Sequence, residues 1–475
     1  MIHLSTPDVG VILLYFAGVL AVGYRSARKT KASDLDFFLA GRTLTLPVFV
    51  MTLVSTWYGG ILGVGEFSYR YGISNWVVQG VPYYIFAALF ALTLAEKVRA
   101  TNFVSIPDKL EAAYDRKTAL LGSLLTFVLM TPAPYILMLS VFLQMLFGWS
   151  LPVSLAVTAF VSVSYLFWGG FRSDVETDVL EFILMFTGFA VILPFCVTEL
   201  GGAGFLREHL PPLHLTWHGG NSAQYILVWF FIALWTLVDP AFHQRCYAAA
   251  SGAVARRGIL ISIGFWLLFD FMTAAAGLYA RAALPGLSQP MMAYPALAEL
   301  LLPPYVKGMF IVGMLATIMS TLNTLGFVSA QTLGRDIAAR MRRGGLAGTQ
   351  VGANADLTTR WTQAGLVLSF IVSVILALVI PSVVQLWYTI GTVIVPGLLV
   401  PLVASYFDRL KISAAAAFTA MLAGWLISLA WFVLGYSVSG ETHYPFNVEP
   451  MYPGLLASII VWGAGKVRGS IAPPG

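Results

Sequence analysis

Residues 52–72 read TLVSTWYGGILGVGEFSYRYG, an apolar stretch with four glycines, Gly59, Gly60, Gly63 and Gly65, in its middle. A helix needs about 20 such residues to cross the hydrocarbon core, and glycine lowers helix stability. In lipid a break of this kind survives only where the freed backbone groups meet protein, water or ions. A second interruption lies in residues 225–245, YILVWFFIALWTLVDPAFHQR, where Asp239-Pro240 falls near one end of the span. Proline removes a backbone hydrogen bond and strains the turn before it. Taken singly, either break also fits close helix packing through small residues. Their spacing favours more: 180 residues separate Gly59 from Asp239, and each break opens a run of five apolar spans. Five is odd, so the second run enters the bilayer upside down relative to the first. Paired interruptions in inverted halves predict a substrate and ion site at the bilayer midplane, served by alternating access.

Composition agrees with a chain built to sit in lipid. Of 475 residues, 58% are hydrophobic and 10% charged, whereas a soluble domain carries roughly 25% charged residues. A soluble enzyme, a nucleic-acid binder and a disordered scaffold are excluded, and the net charge of +5 does not argue for nucleic acid. Runs centred on 7–24, 45–70, 74–96, 118–147, 151–168, 174–198, 224–248, 257–283, 305–334, 361–380, 383–405, 412–436 and 451–466 give thirteen spans. With the N-terminus outside, 23 of the 27 Lys and Arg residues fall in inner loops, Arg245 among them. Arg70, Arg207, Arg281 and Lys307 remain outside. The positive-inside rule expects such a skew, and it places the C-terminus in the cytoplasm.

The expected architecture is therefore all-α and polytopic, a single transporter domain over 1–475. It has a leading helix at 7–24, one five-span repeat at 45–198, an inverted second repeat at 224–405 and two trailing helices within 412–466. No loop is long enough for an ATPase or kinase, so any energy used comes from a gradient. Cys196 and Cys246 form no disulfide or metal pattern.

The ninth span, GMFIVGMLATIMSTLNTLGFVSAQTLGRDI (308–337), carries Thr317, Ser320, Thr321 and Thr324 at i, i+3, i+4 and i+7, on one helix face, with Asn323 bordering it. A lone hydroxyl here would bond back to its own i−4 carbonyl, but four on one stripe can also begin an oxygen shell for a hard cation. Carbonyls freed at the break in span two could complete it. Span six adds Asp174, Glu176, Asp178 and Glu181. The first two are expected in the solvated headgroup region. Asp178 and Glu181 lie deeper, where a charge costs at least ~2.5–3.5 kcal/mol unless paired or hydrated. They are either functional acids or structural partners of an arginine such as Arg245. Asp239 reads as a brace for the broken helix; Asp270 reads as a partner for Arg281 or as a proton relay. His209, His214 and His218, at spacings of five and four in a Pro/Gly-containing loop, do not share a helix face and read as loop residues rather than metal ligands.

Four stretches resemble the sodium/solute symporter family: DFFLAGRTL (36–44), WGGFRSDVETDVLEF (168–182), DPAFHQRCYAA (239–249) and MSTLNTLGFVSAQTLGRDI (319–337). They occur in the family's order. The resemblance implies a five-plus-five inverted-repeat (leucine-transporter-like) fold with one leading and two trailing helices, and sodium as the coupling ion. It puts sodium between spans two and nine, on the side chains of Ser320 and Thr321 and the carbonyls of Leu53, Thr56 and Thr317. A second cation site in some members matches Asp178, with Ser320, Asn323 and Thr324 as companions; Asn323 stands where a small hydroxyl residue is more usual. The proline carriers' acid is replaced by Ser55, and the sugar carriers' polar positions by Gly60 and Gly80. Pocket candidates are Trp57, Tyr58, Gln79, Tyr83, Trp235 and Trp387. Such an aromatic pocket suits a small, partly apolar solute, an amino acid, carboxylate or similar.

The leading expectation is thus a monomeric sodium-coupled symporter of the cell membrane. Its partners are sodium, a small organic solute and the bilayer, and it needs no organic cofactor, transition metal or nucleic acid. A proton-coupled carrier of the same fold is the alternative, and a transporter-derived sensor or an intramembrane enzyme fits less well.

Overall fold

The computed structural model describes residues 3–29, 34–343, 355–380, 382–435 and 444–471. Lys31, part of the 335–360 loop and the last residue of the 412–436 span lie outside the described residues. The chain is built of helices: α1 (Thr6–Lys29), α2 (Asp34–Leu39), α3 (Leu46–Trp57), α4 (Ile61–Tyr71), α5 (Val81–Thr93), α6 (Ala95–Ala100) and α7 (Ile106–Ala113). There follow α8 (Arg116–Leu129), α9 (Ala133–Phe147), α10 (Leu151–Phe195), α11 (Ala203–His209), α12 (Ala223–Ile232), α13 (Trp235–Val238), α14 (Pro240–Ala248) and α15 (Gly252–Ala283). The last are α16 (Ala293–Leu301), α17 (Val306–Gln331), α18 (Arg340–Arg343), α19 (Ala355–Val379), α20 (Val383–Ser405), α21 (Ala414–Gly435) and α22 (Met451–Ile471).

Among the described residues ten helical segments are long and apolar enough to cross a membrane, and the bent pair α3–α4 makes eleven. The remaining two expected spans coincide with the shorter apolar helices Leu151–Ser164 and Met451–Val467. At 1.5 Å per residue these reach only about 21 and 26 Å, short of a hydrocarbon core of about 30 Å. Length and composition therefore give ten or eleven spans among the described residues.

Helix α17 is the axis of the bundle. It is buried all round, every residue from Phe310 to Gln331 included, so it has no lipid-facing side. Helices α1, α3, α9, α10 and α19 pack around it. Outward faces such as Leu13 and Leu14 of α1 and Ile371 and Val379 of α19 are exposed and apolar, suited to lipid. Helices α10 and α17 approach so closely that a Cβ on Gly188 would lie 2.7 Å from the Cα of Gly313. Within α10, Gly170 leaves helical geometry (φ 56°, ψ −155°). The bend falls between the expected spans 151–168 and 174–198, and a Cβ there would meet Phe37 at 2.6 Å.

A buried ionic knot ties the end of the α17 segment to α7. Arg335 meets Asp108 at 2.8 Å and Asp336 at 2.6 Å, while Arg340 meets Asp108 at 2.6 Å and also Glu111. Ser105 donates to Asp336 at 2.9 Å. Burial pushes the Asp108 carboxyl up, but the two guanidiniums outweigh this and hold it below its ordinary value.

Two outcomes follow for stability in detergent. Gly313→Val should lower the unfolding midpoint, costing about 1–3 kcal/mol through overpacking against Gly188; an unchanged midpoint would mean that α10 and α17 are not in backbone contact. Asp108→Asn should cost about 1.5–3 kcal/mol at neutral pH, because it removes a carboxylate shared by two buried guanidiniums that keep Asp336 and Glu111 as partners. Since the native carboxyl is held low, its contribution is complete above about pH 4 and fades as pH falls through the lowered value. The gap between wild type and Asp108→Asn, followed by thermal melts, should be flat from pH 7 to about pH 4 and narrow below.

Candidate cation and solute site

The break between α3 and α4 bends the pair by 59°. The last four carbonyls of a helix lack intrahelical partners, and Thr56, one residue from the end of α3, uses its carbonyl to accept the Thr321 hydroxyl of α17 at 2.5 Å. Gly59 makes this contact possible, because a Cβ there would fall 2.1 Å from Thr321 Oγ1. Next to it, Ser320 Oγ donates to Asp178 Oδ1 of α10 at 2.6 Å. Thr317 turns its hydroxyl back to the Gly313 carbonyl at 2.6 Å, so of the expected stripe it is the member that bonds along its own helix. Leu53 is buried in α3, one turn before Thr56.

One turn deeper lies a guanidinium. Arg245 of α14 is fully buried; it lies 2.9 Å from Asp178 and 3.6 Å from Asp174. It also donates to Thr52 at 3.1 Å, to Thr324 at 2.9 Å and to Thr56. Thr52 and Thr56 in turn hydrogen-bond to Asp178, and Thr324 donates to Asp174 at 2.6 Å. Glu181 accepts from Tyr15 of α1 at 3.1 Å.

Three expectations change here. Arg245 belongs to no solvated loop: its short helix α14 folds back into the bundle, with every residue from Pro240 to Ala248 buried. Asp174 is likewise not in a solvated headgroup region, since Arg245 and Thr324 supply the partners that let it be buried. The Arg245 guanidinium also stands between Asp178 and Thr324, where a second cation was expected. Asn323, the other expected companion, is buried, and neither amide atom has a hydrogen-bond partner among the described residues.

Beside the break is a cavity of about 140 Å³ lined by Thr56, Thr321 and all six pocket candidates, Trp57, Tyr58, Gln79, Tyr83, Trp235 and Trp387. It is bordered by both interrupted helices. At the second interruption Asp239 leaves helical geometry and caps α14, accepting from the Phe242 amide at 2.8 Å and from Trp235 Nε1 at 3.0 Å, as the brace reading expected. Trp387 of α20 closes over Gly60, where a Cβ would lie 2.2 Å from its ring. Sequence reasoning missed Tyr84, Met130, Tyr135, Trp229 and Trp266, which also line the cavity. Met130 sits at a third interruption, between α8 and α9, where Pro132 supplied a signal inside the 118–147 run. Asp270 lines the cavity too and, among the described residues, pairs with neither Arg281 nor any other base: it accepts from the hydroxyls of Tyr58 and Tyr84.

The loop histidines do not converge. His214 bonds the Tyr69 carbonyl at 2.9 Å, His209 stacks on Phe205 and His218 accepts from the Gly220 amide. Burial lowers the proton affinity of His214.

The fold recurs in known carriers. Over its full length the fold matches a sodium-coupled sialic acid symporter solved in a substrate-bound, outward-open state, with a TM-score of 0.79 at 16% identity, covering 99% of each chain. A nucleobase-cation-symport-1 family transporter in a closed conformation matches at a TM-score of 0.60 and 12% identity, over 92% of this chain and 95% of that one. In sequence, the chain is 24% identical to the sodium/pantothenate symporter of Escherichia coli over 97% of its own length and 96% of that protein's. It is 21% identical to sodium/proline symporter 2 of Staphylococcus saprophyticus over 97% and 92% of the two lengths. The sodium:solute symporter family model matches residues 37–424. These relatives and neighbours are transporters rather than enzymes, and the chain belongs to the sodium:solute symporter family.

Proposed function

We propose that the protein is a sodium-coupled symporter that carries a small organic solute into the cell by alternating access. It would work as a monomer in the cell membrane with thirteen spans, the N-terminus outside and the C-terminus in the cytoplasm. Its halves, 45–198 and 224–405, would form an inverted pair flanked by the leading helix and two trailing ones. Family membership and the transporter folds it resembles support sodium as the coupling ion.

The observation that carries the reading is the contact of Thr321 with the Thr56 carbonyl at the break. A hydroxyl that donates to a carbonyl at one helix end presents two oxygens at one point, and Ser320 stands one residue away on the same face of α17. Sodium takes oxygen ligands from carbonyls and hydroxyls. The carbonyls of Leu53, Thr56 and Thr317 and the hydroxyls of Ser320 and Thr321 would hold it. Its arrival replaces the direct hydroxyl–carbonyl bond with two ion contacts and pins the end of α3 against α17. Trp57 and Tyr58 are the next residues along α3 and line the cavity, so an ion that fixes Thr56 also fixes two walls of the solute site. Sodium and solute must then tighten each other's binding by the same factor.

The Asp178 site with Ser320, Asn323 and Thr324 is where a second cation would enter. We assign its positive charge to Arg245, a tethered cation already bonded to Asp178 and Thr324. A mobile second ion would require the guanidinium to withdraw, and this favours one sodium per cycle.

Sodium at a hundred times its Kd should stabilise the purified protein by about 2.7 kcal/mol relative to potassium at equal ionic strength. Thermal unfolding in the two salts measures it. The double variant Ser320→Ala with Thr321→Ala should lose this increment, and Gly59→Ala, which pushes Thr321 off the break, should reduce it. A wild-type melt identical in sodium and potassium, with unfolding that shifts only with pH, would replace sodium by protons as the coupling ion.

A further inference from the structure

The cavity has an electrostatic sign. Among the described residues its charged linings are Asp239 and Asp270 alone, and no Lys, Arg or His side chain borders it. Asp239 already has its charge in use: one oxygen caps α14 through the Phe242 amide and the other takes the Trp235 indole N–H. Asp270, on α15, differs. Its two oxygens accept from the hydroxyls of Tyr58 and Tyr84, which are neutral donors. Behind them, Trp76 Nε1 donates to Tyr84 at 3.1 Å, and Thr273 stands 3.0 Å from the Tyr58 hydroxyl. Among the described residues no base pairs with it, so the arrangement fixes the carboxyl group without an ion pair. The nearest base on its own helix, Arg281, lies three turns away, bonded to the Pro285 carbonyl and stacked over Tyr69.

Three further features border the acid. Gly80 lets its shell close up, since a Cβ there would lie 2.6 Å from the Trp76 ring, 2.9 Å from the Tyr84 hydroxyl and 3.0 Å from Asp270 Oδ2. Trp57, Tyr83 and Trp266 all line the cavity, and Trp57 lies 5.6 Å from Tyr83 and 5.8 Å from Trp266, centroid to centroid, so three aromatic rings are grouped along one wall. Aromatic faces attract ammonium groups, most strongly when both are desolvated. Trp266 is 1% exposed, and its indole N–H has no hydrogen-bond partner among the described residues, so it is a donor for an acceptor oxygen on the same ligand.

We propose that the solute carries a positively charged nitrogen, with Asp270 as its counter-ion and the surrounding indoles as its cage. This deepens the symporter reading and rests on taking the cavity as its solute site. A plain carboxylate would face two acids with no base to meet it, and like charges set opposite each other are strongly disfavoured. An amino acid fits through its ammonium end; an anion without such an end does not.

The test is thermal unfolding of the purified full-length protein in sodium. The probes are small primary and quaternary ammonium compounds and zwitterionic amino acids, set against carboxylates and neutral polyols of matched size. The stabilising probes should carry the charged nitrogen. The affinity of the best should fall at least tenfold in Asp270→Asn and recover in part in Asp270→Glu, while Tyr84→Phe, which keeps the charge, should lose less. The sodium-induced shift in Asp270→Asn reports that the variant folds. If it does not fold, Trp57→Leu, which removes an aromatic ring from the cavity wall, should weaken the ammonium probes more than the neutral polyols. Stabilisation by carboxylates or neutral solutes alone, no response to any ammonium probe, or undiminished ammonium binding in Asp270→Asn overturns the proposal. A sodium shift that survives such a result leaves the symporter reading standing, whereas loss of the sodium shift with Asp270-dependent ammonium binding intact sinks only the coupling.

Discussion

The guanidinium of Arg245 joins four helices. It reaches Thr52 and Thr56 on α3, Asp174 and Asp178 on α10 and Thr324 on α17, from its own place on α14. A buried ion pair of this kind stabilises little against an apolar replacement, but breaking it leaves an uncompensated charge. Its effect is therefore to fix geometry. The hydroxyls of the α17 stripe point at α3 and α10 because a charged knot beneath them allows few other arrangements. The break in α3, the carbonyl of Thr56 and the walls of the cavity take their positions from it.

The same knot explains how an ion could govern a solute. Thr56 gives its carbonyl to Thr321 and its hydroxyl to the Arg245–Asp178 pair, so one residue touches the oxygen cradle and the buried charge at once. Trp57 and Tyr58 follow it directly, and Tyr58 reaches Asp270 across the cavity. A shift of a fraction of an ångström at Thr56 is carried by covalent neighbours to the aromatic wall. No longer pathway is needed.

Much of this was legible in the sequence, for physical reasons that can be named. A cluster of four glycines and an Asp-Pro pair inside apolar runs signal helix breaks, and both breaks are there. Hydroxyls at i, i+3, i+4 and i+7 must share a face, and Ser320, Thr321 and Thr324 do bond across it, while Thr317 bonds back along its own helix. Arg245 and Asp174 were misplaced because a run of polar residues beside a span reads as loop; only the fold shows that α14 turns inward and buries both. The Asp270–Tyr84 and Asp270–Tyr58 pairs lie 186 and 212 residues apart in sequence, and no periodicity links such positions. Trp266 and Trp229 were missed because an aromatic in an apolar span looks the same whether it faces lipid, core or cavity.

The central claim is that sodium binds where the broken end of α3 meets α17 and orders that break. Hydrogen–deuterium exchange of the amides from Thr56 to Leu62, compared in sodium and in potassium at equal ionic strength, tests it most directly. The account predicts slower exchange in sodium, confined to this stretch and the facing turn of α17 around Ser320 and Thr321. Equal exchange in the two salts, or protection elsewhere with none at the break, would contradict it.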